Sequence, residues 1–151
     1  MKATDLLKKQ HREVKGLFKK LEGTDNPRMR RQLMNEVARS LEGHTLIEEE
    51  IFYPAVRGLE TQKAEEMVLE AFEEHHVVKL VLAELPRVNA EDERFAAKMT
   101  VLAELVEHHV EEEEKEMFKL AQKLGRAELA ELGQQMEERF ETFRSKASEA
   151  A

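Results

Sequence analysis

The stretch His44-Thr-Leu-Ile-Glu48-Glu-Glu-Ile-Phe52-Tyr53 decides the fold, because it returns 65 residues later as His109-Val-Glu-Glu-Glu113-Glu-Lys-Glu-Met117-Phe118. Each copy has the form His-x-x-x-Glu, followed by an apolar and an aromatic residue at the same offsets. On an α-helix, residues i and i+4 lie on one face about one turn apart. Each copy therefore aims an imidazole and a carboxylate at one point, an arrangement suited to holding a metal. The order extends upstream: His11 lies 33 residues before His44, and His75 and His76 lie 34 and 33 residues before His109.

Both copies fall on stripes where core residues are expected. In one helix Met34, Val37, Leu41, His44, Glu48, Ile51 and Ala55 recur at steps of three and four. In another, Leu102, Leu105 or Val106, His109, Glu113, Met117 and Leu120 keep the same rhythm. His11 shares a stripe with Leu7, Val14 and Phe18, and His75 one with Val68, Ala71, Val78 and Leu82. Two alternatives stay open. The literal repeat selects His76, whose line through Leu69 and Lys79 is less apolar than that of His75. By periodicity His108 with Glu112 nearly ties with His109 and Glu113; the duplication favours the latter, since His108 aligns with Gly43.

Six glycines, three prolines and 37% charged residues describe a helical chain. The first helix is expected from Asp5 to Glu22, capped by Thr4 and ended by Gly23. The second starts at Pro27, its first position, and runs to about Arg57, with Pro54 kinking or finishing it. Thr61 caps a third that reaches Leu85, a fourth runs from Asn89 to Leu124, and a fifth from Arg126 to about Ser145, with a frayed Ser-Glu-Ala-Ala tail. Arg28, Arg30 and Arg31 are expected to form a solvated helix start. The fifth helix has Leu129, Leu132, Met136, Phe140 and Phe143 on one side, so it covers the bundle or forms a dimer seam.

At 151 residues the chain is one domain with enough length for a continuous core. The absence of cysteine excludes disulfides, thiolate zinc sites and iron–sulfur clusters, leaving nitrogen and oxygen as metal donors. A net charge of -8 opposes binding to a phosphate backbone, so no nucleic-acid partner is expected. No apolar run suggests a membrane span, and the start of the chain is amphipathic rather than a signal segment, so a cytoplasmic location is expected.

A carboxylate in an apolar interior costs several kcal/mol unless it is paired or coordinated. No Lys or Arg shares the core stripes of the two glutamates. A single inward histidine is commonly a hydrogen-bonded core residue, and a lone His-x-x-x-Glu in a Glu-rich helix is commonly chance; four such features in twofold order must be explained together. Four His and two Glu exceed one tetrahedral zinc. They suit two Fe ions bridged by both carboxylates and a solvent-derived oxo or hydroxo group, with Mn or Zn as substitutes. The expected metal residues are His11, His44, Glu48, His75, His109 and Glu113, with Glu48 and Glu113 bridging, His11 and His44 toward one ion, and His75 and His109 toward the other. Competing patterns fail: there is only one Glu-x-x-His, Glu73 with His76, and neither a zincin motif nor a Gly-rich phosphate loop.

In His11, His44-x-x-x-Glu48, Glu74-His75-His76 and His109-x-x-x-Glu113, and in the aromatic and proline of Phe52-Tyr53-Pro54, the chain resembles the hemerythrin family, specifically the bacterial HHE cation-binding domains. The resemblance spans about Asp5 to Leu124. It implies an all-α, up-down-up-down four-helix bundle with a non-haem di-iron centre, to which the fifth helix is an addition; the domain is expected over residues 1–124, the added segment over 125–151. It also implies binding of dioxygen or reaction with peroxide or nitric oxide, that is, a small diatomic or peroxide partner, on a monomer or homodimer. The oxygen carriers have a second histidine four residues after the first on helix three, where this chain has Lys79, and an acid five residues after the last histidine, where here it comes four after His109. The chain is thus similar to the His-poorer branch, for which redox or sensory roles and faster autoxidation are implied. Iron storage or iron and oxygen sensing without turnover is the alternative.

Overall fold

The computed structural model describes the backbone of residues 1–150 and the side chains of residues 1–148. The described residues form α-helical rods with short π and 3-10 turns. Helix α1 spans Ala3–Glu22. Helix α2, Pro27–Ile47, passes through a π-turn at Glu48–Phe52 into α3, Tyr53–Arg57, as one rod. Helix α4 spans Gln62–Glu84. Helix α5, Glu93–Glu112, continues through a second π-turn at Glu113–Met117 into α6, Phe118–Ala121, and α7 covers Arg126–Ala150. These rods make the expected four-helix bundle with one additional C-terminal helix.

Local chemistry sets most of the boundaries. Asn26 caps α2 by accepting from the Met29 N–H at 3.0 Å, with Pro27 at the first turn. Thr61 caps α4 by accepting from the Ala64 N–H at 3.1 Å. Gly125, at φ +92, makes the turn into α7 in a conformation that favours glycine. Two expected caps differ. Thr4 is buried inside α1, which starts at Ala3, because the Met1–Ala3 backbone lies against Gly133 of α7 and is held there. Asp92, not Asn89, caps α5, accepting from the Arg94 N–H at 2.9 Å, while Asn89 closes the preceding turn onto the Glu91 N–H. Arg30 and Arg31 are not merely solvated: Arg31 donates to the carbonyls of Leu85 and Val88, and Arg30 to that of Ala90, tying α2 to the α4–α5 turn. Helix α7 carries on through Ala150; of the tail expected to fray, Ser148 is helical and Ala151 lies outside the described residues.

The apolar interior is divided in two. One cluster, around Leu7, Ile47, Phe52, Val68, Met117 and Met136, lies where the π-turns and α7 meet. The other, around Phe18, Val37, Leu82, Phe95 and Leu102, lies on the other side of the histidines along the rods. The buried histidines and glutamates form a polar layer between them. Among the described residues no helix is long and apolar enough to cross a membrane.

Candidate metal centre

Both core glutamates begin a π-turn, in which the Tyr53 N–H bonds to the Glu48 carbonyl and the Phe118 N–H to that of Glu113. A π-turn inserts one extra residue per turn. Beyond Glu48 the buried stripe therefore shifts: Phe52 and Val56 are buried, while Ile51 and Ala55, expected inward on an uninterrupted α-helix, are half-buried. The shift carries Tyr53 into the core at 0% exposure, with its phenol against the imidazoles.

All six expected metal residues meet in the polar layer. Glu48 is 0% and Glu113 2% exposed, and His11, His44, His75 and His109 are buried. Each carboxylate spans both pairs of histidines. Glu48 Oε1 is 3.0 Å from His44 Nε2 and 3.2 Å from His75 Nε2. Glu113 Oε1 is 3.2 Å from His11 Nε2, and its Oε2 is 3.2 Å from His109 Nε2. Ligand atoms of His11, His44, Glu48 and Glu113 converge within 4.8 Å of one another, as do those of Glu48, His75 and His109. His11 packs edge-on to His44, and His75 edge-on to His109.

A ring of acceptors fixes each imidazole from behind. His11 Nδ1–H donates to Glu114 at 2.8 Å, His75 Nδ1–H to Glu49 at 2.8 Å, His109 Nδ1–H to Glu74 at 2.8 Å, and His44 Nδ1–H to the Gln10 amide oxygen at 2.7 Å. In the neutral ring an acceptor at Nδ1 keeps the proton there, so the Nε2 lone pair faces the centre of the layer, as in metal-ligating histidines. Lys79 in turn grips Glu49, with Nζ 2.8 and 3.1 Å from its oxygens.

The donor set fits a cation on a direct observation. His11 Nε2, both oxygens of Glu48 and Glu113 Oε1 are buried and have no hydrogen-bond partner in the protein. Buried polar atoms left unpaired are costly and rare, and these four are ligand atoms that converge on common points. The hydroxyl of Tyr53 donates to Glu113 Oε2 at 2.7 Å and lies 3.1 Å from both His75 Nε2 and His109 Nε2. Burial, then Glu113 and Glu48, push its pKa well above the ordinary tyrosine value, so its proton stays on at neutral pH. Burial opposes charge on the imidazoles, yet the surrounding carboxylates outweigh it and raise His11, His75 and, furthest, His109. Glu113 is held well below the usual carboxylate range; burial opposes this, but Glu48, His109 and His11 overcome it.

The two open alternatives resolve by exposure. His76 is exposed on α4. His108 is also exposed and pairs with Glu112 at 3.2 Å on the surface, with Glu74 Oε2 4.0 Å away. Sequence reasoning quoted Tyr53 and Glu74 within the repeated and family-like motifs but gave neither a role at the centre, and it did not single out the outer partners Gln10, Glu49 and Glu114. A signal was present: Gln10 and Glu74 immediately precede the first histidines, and Glu49 and Glu114 immediately follow the motif glutamates.

The sequence model of the Hemerythrin HHE cation binding domain matches residues 2–121. Protein Rv2633c of Mycobacterium tuberculosis is 31% identical over 147 residues, covering 95% of this chain and 88% of that protein. A Nostoc protein named DNA nickase is 26% identical over 118 residues, covering 78% of this chain but 33% of that protein, so the chain spans about a third of its length. Among solved structures, the crystal structure of a Hemerythrin HHE cation binding domain-containing protein from Mycobacterium kansasii, a homolog of Rv2633c, superimposes with a TM-score of 0.85 at 29% identity, covering 97% of this chain and 90% of that one.

Proposed function

The chain belongs to the hemerythrin HHE cation-binding family, and from that membership we propose that its polar layer holds two Fe ions and that the protein binds or reacts with dioxygen, peroxide or nitric oxide. One observation carries the reading: two buried carboxylates each face a histidine of both pairs and keep oxygens without a hydrogen-bond partner. A single ion would use one pair of histidines and leave the other facing unpaired buried charge. In this reading His11 and His44 would hold one ion and His75 and His109 the other, with Glu48 and Glu113, each facing both pairs, available to both; Mn or Zn would fit the same donors.

When bound, two irons supply electrons and an open position for a small oxidant. The chain supplies the rest. The four Nδ1–H hydrogen bonds fix each ring so that Nε2 needs no reorientation. Phe52, beside Tyr53, and Phe118, stacked 6.2 Å from His11, keep bulk water from the layer. The Tyr53 Oη holds a proton within reach of the layer, where it can donate a hydrogen bond to a bound oxidant or pass a proton to its reduced product. The HHE unit would comprise residues 1–124 and the segment 125–151 would cover it. We propose a cytoplasmic monomer or homodimer with no membrane partner and, on its acidic balance, no nucleic-acid partner.

The test is to load the purified protein with iron, count the metal, and follow the near-ultraviolet and visible charge-transfer bands on adding azide, nitric oxide or peroxide. Two irons per chain, with bands that shift on azide and change on reaction, are expected. Iron bound without response to any of the three would make the protein a store or sensor, and a chain that retains no metal after desalting would overturn the reading.

A further inference from the structure

We propose that Phe140 of α7 gates the route between α1 and α7 by which small ligands reach the cavity at the four imidazoles, and so sets the size of ligand that enters on that side. That the route ends at a metal rests on the function proposed above; that it exists rests on the shape of the protein alone.

A cavity of about 40 Å³ lies against His11, His44, His75 and His109, with apolar walls that include Val14, Leu41, Val78 and Val106. One probe-sized water needs about 10–15 Å³ of such space, so the cavity admits a ligand of a few atoms and no more. On the outside, between α1 and α7, lies an open cleft of about 240 Å³. Three side chains line both spaces: Gln10, Glu13 and Phe140. They are the partition on the α1–α7 side; between α1 and α5 a second open cleft, of about 310 Å³, shares His11, Val14, Val106 and Val110 with the cavity. Gln10 is fixed by its hydrogen bond to His44, and Glu13 is exposed. Phe140, half-buried and apolar, is the member that can swing.

The seating of that ring is specified by sequence. A Cβ on Gly43, the residue before His44, would lie 2.5 Å from Phe140 Cε2 and 2.9 Å from Phe143 Cδ1, so only glycine lets both rings settle on α2. Met136, one turn earlier on α7, is fully buried. Arg139 clamps Glu50 of the first π-turn, with Nε 2.7 Å and Nη2 3.3 Å from its oxygens. The backbone at Phe140 is therefore anchored while its ring borders the cavity. The family match ends at residue 121, so Phe140 lies outside the matched domain while Gln10, Glu13 and Gly43 lie within it.

The experiment compares wild type, Phe140→Ala and Phe143→Ala; the last loses a ring from the same Gly43 seat without opening the partition. In the metal-free proteins, carbethoxylation of histidines by diethyl pyrocarbonate is followed residue by residue, with exposed His76 and His108 as internal references. Opening the partition is expected to speed modification of His44 about tenfold or more in Phe140→Ala and to leave it near the wild-type rate in Phe143→Ala, while His11, which also lines the cleft between α1 and α5, changes less. In the iron-loaded proteins, stopped-flow azide association should accelerate in the same variant alone. Equal rates in all three metal-free proteins, or equal acceleration in both variants, would overturn the gate. Selective acceleration of modification in proteins that retain no iron would uphold the gate and overturn only the metal reading.

Discussion

The two halves of the polar layer are copies of one design that differ at two side chains. In one half, Glu49 holds His75 from behind, Glu74 holds His109, and the aromatic after the π-turn is Tyr53. In the other, Glu114 holds His11, Gln10 holds His44, and the corresponding aromatic is Phe118, stacked on His11. Glutamine replaces a carboxylate and phenylalanine replaces a phenol. The His75–His109 half thus has two anionic supports and a hydroxyl, whereas the His11–His44 half has one anionic support and none. A carboxylate behind an imidazole makes it a stronger donor than an amide does, so in the two-ion reading proposed above the first half would be the tighter pocket, and the second is the side on which the cavity meets Gln10 and Phe140.

The largest effect should come from removing what the halves share. Glu48→Ala or Glu113→Ala takes away a carboxylate that faces a histidine of each pair, and metal counted by mass spectrometry after loading should fall from two ions per chain to one or fewer. Two ions retained by either variant would mean that the carboxylates do not bridge. Next comes Tyr53→Phe, which makes the aromatic the same in both halves and strips Glu113 Oε2 of its 2.7 Å donor. A hydrogen bond to a charged group is worth about 1.5–3 kcal/mol, and urea unfolding of the metal-free variant should register a loss in that range.

The outer supports allow the asymmetry to be exchanged. Glu74→Gln should weaken metal retention by roughly tenfold, the low end for loss of such a support because the amide still accepts from His109. Gln10→Glu should strengthen it by making His44 the better donor, and the double variant should return retention near wild type with the tighter pocket moved to the other half. Competition against a chelator reads all three; no change in Glu74→Gln would show that the support behind the ring does not matter.

Metal-free and loaded protein should respond to pH with opposite sign. In the metal-free protein, His11, His75 and His109 are raised above the ordinary value of 6.5, so their contribution is complete below 6.5 and lost as pH rises through their folded values. Glu113, depressed from 4.5, contributes above 4.5 and loses that contribution as pH falls through its folded value. The metal-free melting temperature should therefore decline on the alkaline side of 6.5. Metal competes with protons for the same nitrogens, so the loaded protein should instead lose stability on acidification. Parallel melting curves for the two forms would count against direct ligation by these histidines.

Much of this was legible in the sequence, and the parts that were not have physical reasons. Asn26-Pro27 and Thr61 announced helix starts because capping is chemistry local to a few residues. The inward histidines were legible because each replaces an apolar residue on a periodic stripe. The π-turns were not: after Glu48 the chain offers Ile51, Phe52, Tyr53 and Val56, so apolar residues satisfy the stripe with or without the extra residue. The outer acids were hidden by abundance, since runs such as Glu111 to Glu114 contain a carboxylate on every side of the helix. The seat of Phe140 on Gly43 joins residues nearly a hundred apart, and no local pattern specifies such a pairing.

The smallest expected effect sharpens the comparison most finely. His108 and Glu112 repeat the His-x-x-x-Glu spacing one residue out of register with His109 and Glu113, and the two pairs differ chiefly in which way the helix turns them. The outer pair is exposed, and its 3.2 Å contact sits in water, where such pairs contribute little. His108→Ala should leave metal content at the wild-type level and unfolding stability within about 0.5 kcal/mol. His109→Ala, a one-residue shift on the same helix, should lose metal. If His108→Ala also lost metal, spacing alone would be recruiting the ligands, and the burial that separates the two registers would not be what selects the site.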